Sequence, residues 1–125
     1  MRTPTREELA WAAGIHCGEG GIYVNRTNTK KGPQAVGVRF SVGQASHDGA
    51  VPEMLLRLQT IFGTGTIHPL CDKRPNRKAA YQFQICGFEK TQAVMAMVWE
   101  WLTPEKKNQA EKTFKTWKEA HACRV

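Results

Sequence analysis

The segment 36–43 alternates between apolar residues and residues that are small or polar. One side of the predicted strand carries only apolar residues, namely Val36, Val38, Phe40 and Val42. The other side carries Gly37, Arg39, Ser41 and Gly43. Because successive side chains of a strand point to opposite faces of its sheet, this pattern predicts a sheet covered on one face only. The chain must then supply helices for that face and leave the other open.

The remaining patterns predict helices and strand pairs in a repeated order. Thr5 and Glu8 form a capping box, which starts a first helix that we expect to run to about Cys17. Strands are predicted at 22–27, 36–43, 64–68 and 79–85. Further helices are predicted at 52–62, 89–102 and 104–120. The expected fold is a single α+β domain, 1–125, with four antiparallel strands and all helices on one face.

The charge balance favours a polyanionic partner. Lysine and arginine number 18 against 11 acidic residues, which gives a net charge of +7. Neutralising phosphates releases counterions and supplies most non-specific affinity for nucleic acid, although a solvated basic surface is an alternative explanation. The sequence has no signal peptide and no apolar run that could span a membrane, so we expect an intracellular protein without a membrane partner. Its four cysteines lack zinc-site spacing and are predicted to be free thiols.

Small residues form a stripe along the end of the first helix. Ala10, Gly14 and Gly18 are spaced by four residues, with Ala13 and Cys17 beside them. Such a stripe lets a second helix backbone approach closely, either within the monomer or from another copy of the chain. Glu19 follows directly, at the negative end of the helix dipole, where a carboxylate is disfavoured unless a cation is near. A solvated carboxylate is the simpler alternative.

The run from Ala12 to Gly20 resembles the LAGLIDADG motif, in the variant that ends Gly-Glu-Gly, and it directly precedes a strand pair as that motif does. The resemblance implies the αββαββα fold of the LAGLIDADG homing endonucleases, with a concave sheet face that binds double-stranded DNA. It implies metal-assisted hydrolysis of phosphodiesters, with Mg²⁺ or another divalent cation such as Mn²⁺ held by Glu19 and the Gly18 carbonyl. One motif per chain implies a homodimer and a near-palindromic target. The implied dimer interface consists of Ala10, Ala13, Gly14 and Cys17.

Two further catalytic residues follow from the resemblance. Gln44, at the end of the second strand, matches a position where the family places a polar residue that orders solvent around the metals. Lys106, with Lys107 one register away, matches a lysine that polarises solvent or stabilises charge on the phosphate.

The resemblance also assigns DNA contacts to the outward side chains of the sheet. The strand residues expected to face base edges are Tyr23, Asn25, Thr27, Arg39, Ser41, His68, Gln82 and Gln84. Residues at the two hairpin tips are expected to contact phosphates more than bases, and they are Lys30, Lys31, Lys73, Arg74, Arg77 and Lys78.

The sequence departs from the motif at two positions and leaves two alternative functions open. Cys17 replaces an aspartate and His16 replaces an apolar residue. The histidines of the chain are scattered, and we expect each to be exposed or hydrogen-bonded rather than a base or nucleophile. One alternative is an intron maturase, which binds RNA as a splicing cofactor without cutting. The other is a small basic dimerisation protein unrelated to nucleic acid.

Overall fold

The computed structural model describes residues 3–29, 32–70 and 79–122. The helices are α1 (Arg6–Glu19), α2 (Glu53–Phe62), α3 (Phe88–Val98) and α4 (Pro104–Ala122), with a 3₁₀ turn at Trp99–Trp101. The strands are β1 (Gly20–Thr29), β2 (Gly32–Ala45), β3 (Thr66–Leu70) and β4 (Ala80–Cys86). This order and composition confirm the predicted α+β fold class. None of the helices in the described ranges is long and apolar enough to cross a bilayer.

The four strands form one antiparallel sheet in the order β1-β2-β4-β3. Each helix contacts at least one strand. The strand side chains packed beneath the helices alternate along the sequence, and they are Ile22, Val38, Phe40, Val42, Phe83 and Ile85. Because these positions all share one face, the intervening residues lie on the open face. The alternation seen in the sequence of β2 therefore sets the two faces of the whole sheet.

An aromatic cluster fixes the register of the central strands. The ring of Phe40 in β2 packs edge-on against Phe62 of α2 and Phe83 of β4, with centroids 5.9 and 6.1 Å apart. A shift of one residue in β2 would move Phe40 to the open face and expose this core. The cluster thus determines which residues of β2 and β4 the open face presents.

The first helix is longer than the sequence pattern indicated. It continues past Cys17 to Glu19, and β1 begins at the next residue, Gly20, without an intervening loop. The capping box at its start is present as predicted, with Thr5 Oγ1 accepting a hydrogen bond from the Glu8 backbone N–H. The direct passage from helix to strand places Glu19 at a fixed junction between two packed elements.

Candidate functional site

The α1–β1 junction requires glycine at position 20. Gly20 adopts an extended conformation, and its backbone N–H donates to the His16 carbonyl oxygen to close the end of α1. A Cβ at this position would lie 2.5 Å from His16 Nδ1 and 3.0 Å from the His16 backbone. Real contacts of that kind are never so short, so any other residue would displace the helix end. The carboxylate of Glu19, which is exposed, is held next to this tight turn.

Lys106, near the start of α4, reaches the same junction. Its Nζ donates a hydrogen bond of 2.7 Å to the carbonyl oxygen of Gly20. Lys107 points elsewhere, with its Nζ 5.7 Å from the ring centroid of Trp99. Of the two lysines left open by the sequence, Lys106 is therefore the one that contacts the residue next to Glu19. A cation here also complements the negative end of the α1 dipole.

His16 is buried beneath this junction without a hydrogen-bond partner. Its side chain is 1% exposed, neither ring nitrogen has a partner, and its ring packs 4.9 Å from that of Phe40. Burial, together with the positive charge of Lys106, lowers the pKa of His16 to about 4. The expectation that each histidine is exposed or hydrogen-bonded is thus wrong for His16. His16 follows Ala13 by three residues and Ala12 by four, so the sequence could have indicated that all three lie on one side of α1, which is the buried side.

We expect this histidine to make the protein less stable in mild acid. Above about pH 6.5 the ring is neutral in both states, but below it only the unfolded chain takes up the proton until about pH 4 is reached. The free energy of unfolding should therefore fall by roughly 3 kcal/mol as the pH is lowered through this window. Urea denaturation at several pH values measures this free energy of unfolding. His16→Leu should flatten this part of the profile, and an unchanged profile would contradict the assignment.

The open face of the sheet carries a row of polar side chains across β1, β2 and β4. Arg39 lies opposite Tyr23 on one side and Cys86 on the other. Burial opposes the charge of Arg39, yet hydrogen bonds and charge interactions with Tyr23 and Cys86 outweigh it and raise the pKa of the guanidinium. The row holds a permanent positive charge on an otherwise uncharged part of the face.

A second group of polar side chains crosses the centre of the open face. Gln82 Nε2 donates to Ser41 Oγ over 2.6 Å, and Gln84 Nε2 donates to Gln82 Oε1. On β3, Thr66 Oγ1 and His68 Nε2 form a hydrogen bond of 2.8 Å. Ser41 is only 8% exposed because Gln82 lies over it. The centre of the face is therefore a hydrogen-bonded polar surface.

Of the comparisons with known proteins, only the comparison with solved structures finds a match. No family model and no curated protein matches the sequence. Among solved structures, the homing endonuclease I-CvuI matches with a TM-score of 0.69 and 22% identity, over 88% of this chain and 65% of that one. I-CeuI, solved in complex with DNA, matches with a TM-score of 0.70 and 19% identity, over 98% and 58%. The LAGLIDADG meganuclease I-CpaMI, bound to uncleaved DNA, matches with 0.68 and 17%, over 94% and 40%.

This chain has the LAGLIDADG fold. It spans about two thirds of the length of I-CvuI and smaller shares of I-CeuI and I-CpaMI. The segment 12–20, which resembles the LAGLIDADG motif in sequence, lies in a chain whose fold matches solved structures of that family. The motif covers the last part of α1 and the first residue of β1.

The LAGLIDADG helix α1 presents part of the predicted stripe to solvent. Gly14 and Gly18 are exposed, and a Cβ at either position would meet no other heavy atom within 4 Å. Ala10 and Cys17 are partly exposed on the same side. The assignment of Ala13 to a dimer interface is wrong, because Ala13 is fully buried in the core of its own chain. The helical period places it with Ala12 and His16 on the covered side of α1.

The donors at the junction are of the kind that a hard divalent cation binds. Glu19 supplies one exposed carboxylate, and the Gly18 carbonyl is a nearby backbone oxygen, whereas the Gly20 carbonyl already accepts from Lys106. Within the described residues, no three His, Cys, Asp or Glu side chains form a metal-binding cluster. Mg²⁺ commonly binds one or two carboxylates plus phosphate oxygens and water, so these two oxygens could supply only part of its coordination.

Gln44 lies on the helix side of the sheet. It pairs with Tyr81 across β2 and β4, in alternation with Phe40 and Val42, one residue before β2 ends. Because Gln44 does not lie on the open face, its predicted role in ordering solvent depends on its position at the end of β2.

The register places the described members of the predicted DNA-contacting set on one face. These are Tyr23, Asn25, Arg39, Ser41, His68, Gln82 and Gln84. Sequence reasoning missed Thr66 and Cys86, which share that face and are two residues from His68 and Gln84. The side chain of Thr27 lies outside what the structure describes, as do the hairpin-tip residues Lys30, Lys31, Lys73, Arg74, Arg77 and Lys78.

Proposed function

We propose that this chain is a homodimeric, divalent-metal-dependent endonuclease that cleaves double-stranded DNA at a long, near-palindromic site. The observation that carries the proposal is the α1–β1 junction, where exposed Glu19 precedes Gly20 and the Gly20 carbonyl accepts a hydrogen bond from Lys106. An acidic ligand and a fixed ammonium group at one point are the charges that phosphodiester hydrolysis requires. The solved structures of the same fold include I-CeuI and I-CpaMI bound to DNA.

Glu19 and the Gly18 carbonyl would hold Mg²⁺ or Mn²⁺ beneath the scissile phosphate. The bound cation supplies an activated water and neutralises charge on the phosphate. The ammonium group of Lys106 adds positive charge at the junction. Its hydrogen bond to the Gly20 carbonyl restricts the rotamers of the side chain. Gln44 is proposed to order solvent at the end of β2. His16 is neutral and buried below the junction, and it is not the base that accepts a proton from the attacking water.

A second copy of the chain would complete the site. Each chain supplies one Glu19, and the exposed glycines Gly14 and Gly18 let two α1 helices approach closely. Two-fold symmetry then brings the two carboxylates together at the helix ends, where cations must separate them. Each copy would act on one strand of DNA, so cleavage of both strands needs the dimer.

The open face would lie along the major groove. Its polar side chains carry the donors and acceptors that read base edges, and Arg39 has the fork suited to guanine. The net charge of +7 favours the approach of DNA over that of a neutral partner. Phosphate contacts are assigned to the basic hairpin tips named above.

The test is cleavage of supercoiled plasmids that carry duplexes selected by the protein from a random library. We expect nicked and then linear plasmid with Mg²⁺, and intact plasmid with EDTA. A target that is tightly bound yet never cut with Mg²⁺ or Mn²⁺ would overturn the nuclease function. Preference for structured RNA over duplex DNA would then favour the maturase alternative. Binding that is insensitive to salt would favour the dimerisation protein, because a DNA-binding surface loses affinity steeply as salt rises.

Lys106→Met should slow cleavage by roughly 10²-fold with little change in DNA affinity, because it removes the fixed positive charge beside Glu19. Single-turnover cleavage of a labelled duplex measures the rate. Lys107→Met is the matched control, since Lys107 lies over Trp99 and should be nearly silent. Equal rates for the two variants would remove Lys106 from the site.

A further inference from the structure

We propose that Gln84 reads an adenine in each half of the target, that Gln82 and Ser41 hold its amide in position, and that the base pairs next to it go unread. This inference deepens the proposed function and rests on it. It comes from three features of the open face. They are a series of side-chain hydrogen bonds, called the hydrogen-bond chain below, the amide groups that these hydrogen bonds leave free, and glycines on either side of the hydrogen-bond chain.

The hydrogen-bond chain runs in one direction. Ser41 Oγ accepts from Gln82 Nε2, and Gln82 Oε1 accepts from Gln84 Nε2. Ser41 is nearly buried in β2, an interior strand, so the hydrogen-bond chain begins at a packed position of the sheet. A glutamine side chain normally samples many rotamers, and ordering it on DNA costs free energy. Here the order exists before DNA binds.

The groups left free on Gln84 match one base. Its Oε1 has no partner within the described residues, and one of its two Nε2 hydrogens remains available. Adenine presents an N6 donor and an N7 acceptor in the major groove, and a glutamine amide pairs with both at once. Guanine offers two acceptors at that edge, so it leaves the Oε1 without a donor. Gln82 uses both its Nε2 and its Oε1 within the hydrogen-bond chain, so its amide has fewer free positions for a base than that of Gln84.

Glycines flank the chain on the open face. Gly21 lies opposite Ser41, and Gly43 lies opposite Gln82. A Cβ at either glycine would meet no other heavy atom within 4 Å, and neither has a positive φ. These positions could accept a side chain but carry none. The base pairs above the two glycines therefore lack a direct contact, and the protein should tolerate any base at those positions.

The experiment is selection of bound duplexes from a library with randomised half-sites, followed by sequencing. The unmodified chain should enrich an adenine at one position of each half-site, with little preference at an adjoining position. Gln84→Ala should lower that enrichment by about tenfold or more. Gln84→Glu, which has the same size but only acceptors, should move the preference to cytosine, whose N4 is a donor. Gln82→Ala should weaken the adenine preference without moving it.

A substitution that adds a side chain tests the glycine gap. Gly43→Gln should create a new base preference at the adjoining position while the adenine preference stays. Gln92→Ala is the control, since Gln92 is exposed on α3 and away from the sheet. Thermal unfolding of each variant checks that the fold is intact.

The outcomes separate this inference from the proposed function. If the unmodified chain retains duplexes but Gln84→Ala and Gln84→Glu select the same sequences as the parent, Gln84 reads no base and the inference is overturned, while DNA binding stands. If no duplex is retained even at low salt, both the inference and the proposed function are overturned.

Discussion

Glu19→Gln should abolish cleavage of both DNA strands while leaving target affinity within about threefold of the parent. The substitution keeps the size of the side chain but removes the charge that would hold the divalent cation. Loss of that cation removes several kcal/mol of transition-state stabilisation, which corresponds to roughly 10³-fold or more in rate. Binding should survive because Glu19 is at the helix end, whereas the proposed DNA contacts are spread over the open face of the sheet.

The measurement for Glu19→Gln is single-turnover cleavage of a labelled duplex, with affinity determined in Ca²⁺ by gel shift. Glu7→Gln is the matched control, because Glu7 is an exposed carboxylate in the first turn of the same helix. The control should cut at the parental rate. Full activity of Glu19→Gln would remove Glu19 from the site.

Gly14→Leu should convert the proposed dimer into monomers and abolish double-strand cleavage. Gly14 is exposed at the middle of α1, and a Cβ there meets no other heavy atom within 4 Å of the same chain. The substitution should therefore leave the monomer folded, and leucine even has the higher helix propensity. Between two closely packed helices, however, the added side chain has no room.

Light scattering at several protein concentrations measures the oligomeric state of Gly14→Leu. Ala93→Leu is the control, since it adds a leucine side chain to an exposed small residue on α3, away from the stripe. Only the stripe variant should lose the dimer. A dimeric Gly14→Leu would place the interface elsewhere on the molecule.

Local patterns predicted the elements that local physics determines. The capping box at Thr5 and Glu8 forms as expected, because both of its hydrogen bonds are made within four residues. The alternation around Phe40 assigned the faces of β2, since side-chain direction in a strand depends on position alone. The same rule, applied to β4, placed Gln82 and Gln84 on the open face. The resemblance at 12–20 supplied the fold that connects these elements.

Contacts between distant segments required the structure. Lys106 and Gly20 are 86 residues apart, and no local pattern distinguishes Lys106 from Lys107 as the partner of that carbonyl. The sequence gives the helical spacing of the small residues of α1 but not which side of the helix packs on the sheet. Ala13 resembles Gly14 in size, yet the packing of α1 on the sheet buries Ala13 and leaves Gly14 exposed. Burial of His16 without a partner is likewise a result of that packing.

The hydrogen-bond chain of Ser41, Gln82 and Gln84 shows how the two kinds of information combine. Alternation predicts that the three side chains share a face, but the register of β2 against β4 decides that Gln82 reaches Ser41. Glycines in strands usually indicate weak packing or close approach of another backbone. At Gly21 and Gly43 the register adds that the two glycines lie opposite Ser41 and Gln82, which are joined by a hydrogen bond.

The central claim is that the junction formed by Glu19, Gly20 and Lys106 cleaves DNA with a divalent metal. The most direct test is the single-turnover rate of duplex cleavage as Mg²⁺ is increased from zero, at a protein concentration that saturates the selected target. The rate should be negligible without metal, rise with Mg²⁺ and reach a plateau, with both strands cut. A saturated target that stays intact at every Mg²⁺ concentration would contradict the claim.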